Sequence, residues 1–267
     1  MTKTKNLKYK PYKIISKIEL IEDVILFRLE GRLNFSAGQF VQIALSDFGE
    51  ITVAPTSDPE EKKFFELAIR GCGCTSKKII EMVPGDDLLL RGPYGNGWPM
   101  AKALGKDLIL IAGGIGLIPL RPLIFQILKY QREFGKITLI YGTKSEESFL
   151  FEQDLTNWRK KITVVPVAEH ASPDFWGERG MITEPLKNVA LTPDKSIIFI
   201  CGPEVMCPYC IEILAKKKVS EKNIYISFER RMECGIGVCQ HCNIGKYLVC
   251  RDGPVFRFDK IKSELSK

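Results

Sequence analysis

Four cysteines carry the clearest chemistry in this sequence: Cys234, Cys239, Cys242 and Cys250, spaced C-x4-C-x2-C-x7-C. Four thiolates at such intervals can wrap a small inorganic cluster, and C-x4-C-x2-C followed by a distant fourth cysteine is the spacing of plant-type [2Fe–2S] centres. Gly235 and Gly237 let the backbone turn tightly, so that its amides can point at sulfur. A tetrahedral zinc is the other reading of four cysteines. Zinc ribbons usually pair two C-x2-C knuckles, and here there is one, so the spacing favours the iron–sulfur cluster. His241 lies between two of the cysteines and is expected near the site rather than in it, since four thiolates suffice.

Anion-binding chemistry is written twice more. In Arg70-Gly-Cys-Gly-Cys-Thr-Ser76 a glycine-rich bend enters a helix-like run, Lys77–Met82. Free amides at a helix start, with the Thr75 and Ser76 hydroxyls, suit a pyrophosphate. Further on, Ala112-Gly-Gly-Ile-Gly-Leu-Ile-Pro119 follows an apolar run and opens a helix. Gly113, Gly114 and Gly116 would let a pyrophosphate approach that helix, although the run is not a full G-x-G-x-x-G fingerprint. Tyr141-Gly-Thr-Lys144 and Cys201-Gly-Pro-Glu204 follow two other apolar runs. Lys144 is placed to meet a ribose or its phosphate. Cys207-Pro-Tyr-Cys210 has the C-x-x-C spacing of thiol–disulfide chemistry. It falls inside a helix rather than at a thioredoxin-like start, so we read it as structural.

The elements that must position these residues fall into two patterns. Up to about Met100, short β-prone runs alternate with turns: Tyr12–Glu19, Val24–Leu29, Phe40–Ala44, Phe64–Ile69 and Asp87–Arg91. Turn signals at Ser36-Ala-Gly and Pro84-Gly-Asp separate them, which predicts a small antiparallel barrel. From there to Phe228, apolar runs Leu108–Ala112, Ile137–Tyr141, Ile162–Val167, Ile197–Cys201 and Ile224–Ser227 read as parallel strands buried on both faces. The helical stretches Ile118–Phe134, Phe149–Lys160, Thr183–Asn188 and Glu204–Lys217 alternate with them. That is a doubly wound α/β sheet, whose ligands bind beyond the carboxyl ends of its strands. The expected domains are 1–100, 101–228 and 229–267. The last is too short to own a core, so its metal and docking on the preceding domain, with Phe256 and Phe258 in the contact, must fold it.

Composition bounds the setting. The chain has 267 residues, is 45% apolar and carries a net charge of +7 with nine cysteines and two histidines. Scattered lysines read as a solvated surface, which argues against nucleic-acid binding. The longest apolar run, Leu108 to Leu120, holds three glycines and a proline and is too short to span a bilayer. The basic stretch Met1 to Lys13 is not followed by a signal-like apolar segment. Cysteine usage without such a segment predicts a reducing, cytoplasmic setting.

Taken together, Gly38-Gln-Phe-Val, Gly73-Cys-Thr-Ser76, Arg91-Gly-Pro-Tyr-Gly-Asn-Gly97, Gly113-Gly-Ile-Gly116, Cys201-Gly-Pro203, Phe228-Glu-Arg-Arg-Met-Glu-Cys234 and Asp252-Gly-Pro-Val-Phe256 resemble the ferredoxin–NADP reductase superfamily. More closely the chain resembles its [2Fe–2S]-bearing branch, which includes one of the subunits of anaerobic sulfite reductase, the gamma subunits of soluble hydrogenases (sulfhydrogenases) and the electron-transfer subunit of dihydroorotate dehydrogenase. The resemblance implies FAD on the barrel, NAD(P)H on the α/β domain and a cluster beyond. Electrons would pass between the nucleotide, the flavin and the cluster, to or from an iron–sulfur-containing partner subunit. It assigns Thr52, Val53, Ala54, Ile69, Arg70, Gly73, Thr75 and Ser76 to FAD. It assigns Gly113, Gly114, Gly116, Pro119, Gly142, Lys144, Cys201, Gly202, Pro203 and Glu204 to the nucleotide, with Cys201 and Glu204 bordering the nicotinamide. No protein acid or base is implied.

One departure stands out. The superfamily's flavin motif, Arg-x-Tyr-Ser or Arg-Pro-Ile-Ser, reads Ile51-Thr-Val-Ala54 here. The lost arginine and serine leave a second reading open: a non-catalytic, reductase-like scaffold holding a structural metal or sensing a nucleotide.

Overall fold

The computed structural model describes residues 7–265, so part of the basic N-terminal stretch and the outer ends of the two terminal domain assignments lie outside the described residues. The described chain separates into two units. One holds the chain as far as Trp98, Arg121–Leu123 and Glu229–Pro254; the other holds Pro99–Leu120, Ile124–Phe228 and the chain from Val255 on.

Alternating apolar residues in the first unit make six antiparallel strands: β1 (Lys10–Ile21), β2 (Val24–Glu30), β3 (Phe40–Leu45), β4 (Gly49–Val53), β5 (Phe64–Arg70) and, after helix α1 (Cys74–Glu81), β6 (Asp87–Tyr94). Their order is β4-β3-β6-β1-β2-β5. A bridge between Pro55 and Leu67 joins the chain just past β4 to β5, linking the two ends of that order. The result is the barrel that the strand spacing predicts. Its interior is filled by Ile14, Phe27, Leu29, Val41, Ile43, Phe65, Leu67 and Leu88, with Ile79 of α1 packed among them. Strand β4 has no expected counterpart: none of its residues is fully buried, so it carries no apolar alternation. Strand β6 runs past the expected stop at Arg91 through Gly92-Pro93, and the register against β3 shifts between Phe40 and Gln42 to accommodate it.

The second unit follows the apolar runs closely. After α2 (Met100–Ala103) come β7 (Asp107–Gly113), α3 (Leu117–Lys129), β8 (Ile137–Ser145), α4 (Glu152–Trp158), β9 (Thr163–His170), β10 (Glu178–Arg179), α5 (Thr183–Asn188), β11 (Ser196–Cys201), α6 (Met206–Lys216) and β12 (Ile224–Ser227). Strands β9, β8, β7, β11 and β12 are parallel neighbours in that order. Leu108, Leu110, Ile111, Ile198, Phe199 and Ile200 are almost wholly buried, as strands covered on both faces require. Chain reversal in strand order falls between β7 and β11, the switch point where such sheets bind ligands.

Beyond β12 the chain returns to the first unit, forming the small ladder β13 (Asn243–Ile244) with β14 (Tyr247–Leu248) and the turn α7 (Val249–Asp252). It then rejoins the second sheet: β15 (Val255–Arg257) pairs antiparallel with β12, and α8 (Phe258–Leu265) follows. Phe256 packs edge-on against Phe228, ring centres 6.1 Å apart, so the expected aromatic contact is made by that residue. Residues Glu229–Pro254, which carry the four cysteines, fall in one unit with the barrel. Apolar pattern could not show this, because the contact is made by polar groups described below. Among the described residues no helix is long and apolar enough to cross a membrane.

Candidate functional site

The cysteine loop is the most fully built of the candidate sites. Positive φ at Gly235 and Gly237 (69° and 85°) folds the backbone back on itself. Three amides then converge on one sulfur: Ile236, Val238 and Cys239 donate to Cys234 Sγ at 3.5, 3.2 and 3.4 Å. Burial alone would push the Cys234 thiol up, but these N–H groups outweigh it and bring its pKa down to about 6. On the other side, the Cys250 amide donates to Cys242 Sγ at 3.4 Å, and both of these residues are buried. Cys239 is the thiol that acts on Cys234 and Cys242 the one that acts most on Cys250, with Cys234 near enough to raise Cys250 further. Burial and the neighbouring Cys242 push Cys250 up to about 12.

Four thiols with amides aimed at sulfur are the donor set that a two-iron cluster needs, so the residues present fit that group. His241 is not part of that set. Its Nδ1 lies 2.6 Å from Glu233 Oε2, and the two flank Cys239 at the exposed side of the loop.

What ties this loop to the barrel is a set of polar residues that sequence pattern did not single out. Arg91 of β6 donates to the carbonyls of Cys234 and Glu233, and Gln42 of β3 donates to those of Glu233 and Met232. Glu50 at the start of β4 accepts from Arg91. The available signal was a single polar residue inside an apolar strand: Gln42 between Val41 and Ile43, Arg91 after Leu88-Leu-Leu90.

On the same barrel, the residues assigned to flavin gather around β4, β5 and α1. Thr52, Val53 and Ala54 lie at the half-buried end of β4, and buried Ile69 and exposed Arg70 end β5. The Arg70 guanidinium has no ion pair among the described residues. Gly73 caps α1, whose first turn holds no acidic side chain and presents its N–H groups outward. The hydroxyl protons of Thr75 and Ser76 are committed elsewhere, to the carbonyls of Phe48 (2.5 Å) and Gly73 (3.1 Å). A phosphate here would therefore meet amides and Arg70 rather than hydroxyl donors. Thr52 Oγ1 is buried with no hydrogen-bond partner, an orphaned polar atom that a bound group would satisfy. These features fit the anionic phosphates of a flavin nucleotide.

In the second unit the glycine-rich turns meet at one sheet edge. Gly113 pairs in register with Gly142, and Cys201 with Ala112, so β7 and β11 end within one residue of each other while β8 runs on to Ser145. The approach of the turns is close enough that only glycine fits. A Cβ on Gly116 would sit 2.2 Å from the Cys201 carbonyl oxygen, and one on Gly202 would sit 2.9 Å from Gly113 Cα. At Gly114, by contrast, φ is +52° and nothing lies within 4 Å of an added Cβ. That leaves open space directly before α3, whose first turn has no acidic residue. A cradle of this shape at a helix N-terminus fits a pyrophosphate. Pro119 is buried in the first turn of α3. Lys144 is exposed at the end of β8, and Pro203 and Glu204 are exposed after β11, while Cys201 is buried beneath them.

Cys207 and Cys210 do not join this edge. They lie in the buried stripe of α6 with Ile213 and Leu214, which explains their spacing as helical. Burial pushes the two thiols up to about 11 and 12, opposite to what thiol exchange requires.

Two family models match parts of this chain. Residues 110–211 match the model of an oxidoreductase NAD-binding domain, and residues 229–262 that of the iron-sulfur cluster binding domain of dihydroorotate dehydrogenase B. The chain is 35% identical over 257 residues to the sulfhydrogenase 1 subunit gamma of Pyrococcus furiosus, covering 91% of this chain and 87% of that one. It is also 35% identical to a probable dihydroorotate dehydrogenase B electron transfer subunit of Thermococcus kodakarensis, over 91% and 94% of the two chains. In fold it matches a solved NADH-dependent reduced ferredoxin–NADP oxidoreductase with a TM-score of 0.75 at 21% identity, over 100% of this chain and 95% of that one.

Proposed function

Since this chain belongs to the family of sulfhydrogenase gamma subunits and dihydroorotate dehydrogenase B electron-transfer subunits, we propose that it is the electron-transfer subunit of a larger oxidoreductase. It carries electrons between NAD(P)H, FAD and a [2Fe–2S] cluster, to or from an iron–sulfur-containing partner subunit. The observation that carries this reading is the cysteine loop itself, with three amides on Cys234 Sγ and the Cys250 amide on Cys242 Sγ.

When bound, the nicotinamide and flavin supply two-electron chemistry and the cluster one-electron chemistry. The chain's residues bind and orient. Residues 1–100 hold the flavin, with Arg70 and the start of α1 on its phosphates and the Thr52–Ala54 backbone beside its ring. Residues 101–228 hold the nucleotide. Gly113, Gly114 and Gly116 admit its pyrophosphate, Gly142 and Lys144 lie beside its ribose, and Cys201 to Glu204 border its ring. Residues 229–267 hold the cluster through the four cysteines. The use of four cysteines as cluster ligands, which suits a reducing setting, leads us to place the protein in the cytoplasm.

The test is an anaerobic visible spectrum of the purified chain, titrated with NADPH and then with NADH. Flavin and cluster bands that bleach with either nucleotide support the reading and name the donor. A colourless protein with stoichiometric zinc overturns it and leaves the scaffold reading that the altered segment Ile51–Ala54 favours. Cluster bands without flavin would assign the loss to that same segment.

A further inference from the structure

Arg91 is buried, its side chain only 8% exposed, and it spends its donors on two different parts of the chain. Toward the barrel, Nε donates to the Tyr9 hydroxyl at 2.8 Å, and Nη2 donates to Glu50 Oε2 at 2.7 Å. Toward the cysteine loop, Nη1 donates to the Cys234 carbonyl at 2.8 Å and Nη2 to the Glu233 carbonyl at 3.0 Å. Gln42 Nε2 takes the same Glu233 carbonyl at 2.7 Å. Beneath them, Gly235 lies so close that a Cβ there would stand 2.4 Å from Gln42 Oε1.

We propose that Arg91, held by Glu50 and seconded by Gln42, is the positioning residue of the cluster loop. It grips the carbonyls on both sides of the bond between Glu233 and Cys234. That grip fixes the direction in which the Cys234 side chain leaves the backbone, and with it the three amides that converge on its sulfur. Only a guanidinium can do this from β6. Its planar fork offers donors to a carboxylate on one edge and to two carbonyls on the other, which a lysine's single ammonium cannot reproduce. The inference rests on the reading of the four cysteines as a cluster site, and it adds that the barrel, not the cysteine loop alone, sets the geometry of the first ligand.

The experiment uses the full-length protein and the variants Arg91→Met, Arg91→Lys and Glu50→Gln. Iron, sulfide and flavin content are measured, along with the electron paramagnetic resonance spectrum and midpoint potential of the reduced cluster. Trypsin cleavage after Arg231, whose side chain is 89% exposed, is followed on the metal-free chain. Flavin content should match wild type in every variant. Arg91→Met should lower iron content by about 10-fold or, in the clusters that remain, broaden the resonance and shift the potential. Arg91→Lys should not restore them, Glu50→Gln should fall between, and tryptic cleavage should accelerate about 10-fold in Arg91→Met, as expected for a loop released from its anchor. Wild-type resonance, potential and cleavage rate in Arg91→Met would overturn the proposal, and so would loss of flavin together with the cluster in Glu50→Gln. If the wild-type chain holds no iron, the functional reading fails on its own, and the cleavage rate still decides whether Arg91 anchors the loop.

Discussion

Arg121 Nη1 lies 2.8 Å from Glu66 Oε2, and the other oxygen of that carboxylate takes Arg28 Nη2, also at 2.8 Å. Glu66 is 6% exposed and Arg121 10%, so this is a charge pair removed from water. Arg121 also donates to the Thr56 carbonyl at 2.9 Å, and the Glu66 amide donates to Ser57 Oγ at 3.1 Å. The stretch just after the altered segment Ile51–Ala54 is thereby pinned to β5 and to Arg121. The network holds the backbone of Thr56 and Ser57, directly after the segment that we propose lies beside the flavin ring.

Breaking that pair should cost more than any surface ion pair. Glu66→Gln removes the buried carboxylate charge that Arg121 and Arg28 share, and breaking a buried pair in this way typically costs about 3–5 kcal/mol. The thermal midpoint should drop by about 10 °C. Replacing both partners by apolar residues, Glu66→Leu with Arg121→Met, should be less damaging than the two single changes added together, since the only charge left without Glu66 is that of Arg28, whose side chain is 40% exposed to water. Thermal and urea denaturation of the four proteins measure it. Additive losses would show that the two side chains act independently.

Two glycines at the α/β sheet edge should respond in opposite ways. Gly116→Ala brings a Cβ to 2.2 Å from the Cys201 carbonyl oxygen, a backbone atom that cannot move aside. It should therefore unfold or loosen the nucleotide domain, with a fall in thermal midpoint. Gly114→Ala meets open space and carries only the cost of its positive φ, about 1 kcal/mol. Its fold should survive while nucleotide binding weakens, because the new methyl group occupies the cradle. Isothermal titration with NADH and NADPH, alongside thermal melts, separates the two. Unchanged nucleotide affinity in Gly114→Ala would remove the cradle from the binding site.

How far the sequence led depends on which force shaped each element. Strands β7, β8, β11 and β12 are dictated by burial on both faces, and their apolar runs show it directly. Strand β4 is not, because no residue in it is fully buried, so nothing in its pattern sets it apart from a loop. The cysteine spacing made the cluster loop legible, but not its attachment. That attachment is made by backbone carbonyls and by Arg91 and Gln42, about 140 to 190 residues away in sequence. Such bonds leave no periodicity behind. Similarly, the Thr75 and Ser76 hydroxyls look like phosphate ligands by residue type. Only coordinates reveal that their protons are already engaged with Phe48 and Gly73.

The buried thiols of α6 give a pH dependence whose sign follows from their direction of shift. Cys207 and Cys210 are pushed up to about 11 and 12 by burial, so they titrate above an unfolded cysteine. Their contribution to stability is therefore complete below the unfolded pKa, near 8.5, and is lost as pH rises toward 11 and 12. Each thiol can add up to about 1.4 kcal/mol per pH unit to the decline across that window. Urea midpoints between pH 7 and 11 should fall less steeply for Cys207→Ala and Cys210→Ala than for wild type. In the folded protein at neutral pH, these two thiols should resist alkylation while exposed Cys72 and Cys74 react. Rapid labelling of Cys207 would contradict the burial argument and reopen a thiol-exchange role.

The tightest geometric test falls on the two glycines of the cluster loop. Both have positive φ, so alanine at either carries a backbone cost of about 1 kcal/mol. Their surroundings differ. A Cβ at Gly235 would press 2.4 Å from Gln42 Oε1, and the Gln42 amide is held in place by its bonds to Glu233 and Met232. A Cβ at Gly237 would come no closer than 3.1 Å to the Arg251 side chain, a tight contact that a shift of a few tenths of an ångström relieves. Gly235→Ala should therefore lose most of its iron, while Gly237→Ala keeps it. Shortening the obstructing side chain in the double variant Gly235→Ala with Gln42→Ser should restore part of the iron, because the collision is relieved while Arg91 still holds the Glu233 and Cys234 carbonyls. Iron and sulfide analysis of the three variants decides the matter. Equal iron in Gly235→Ala and Gly237→Ala would mean that the loop reshapes around its metal, and that contact with Gln42 does not fix its path.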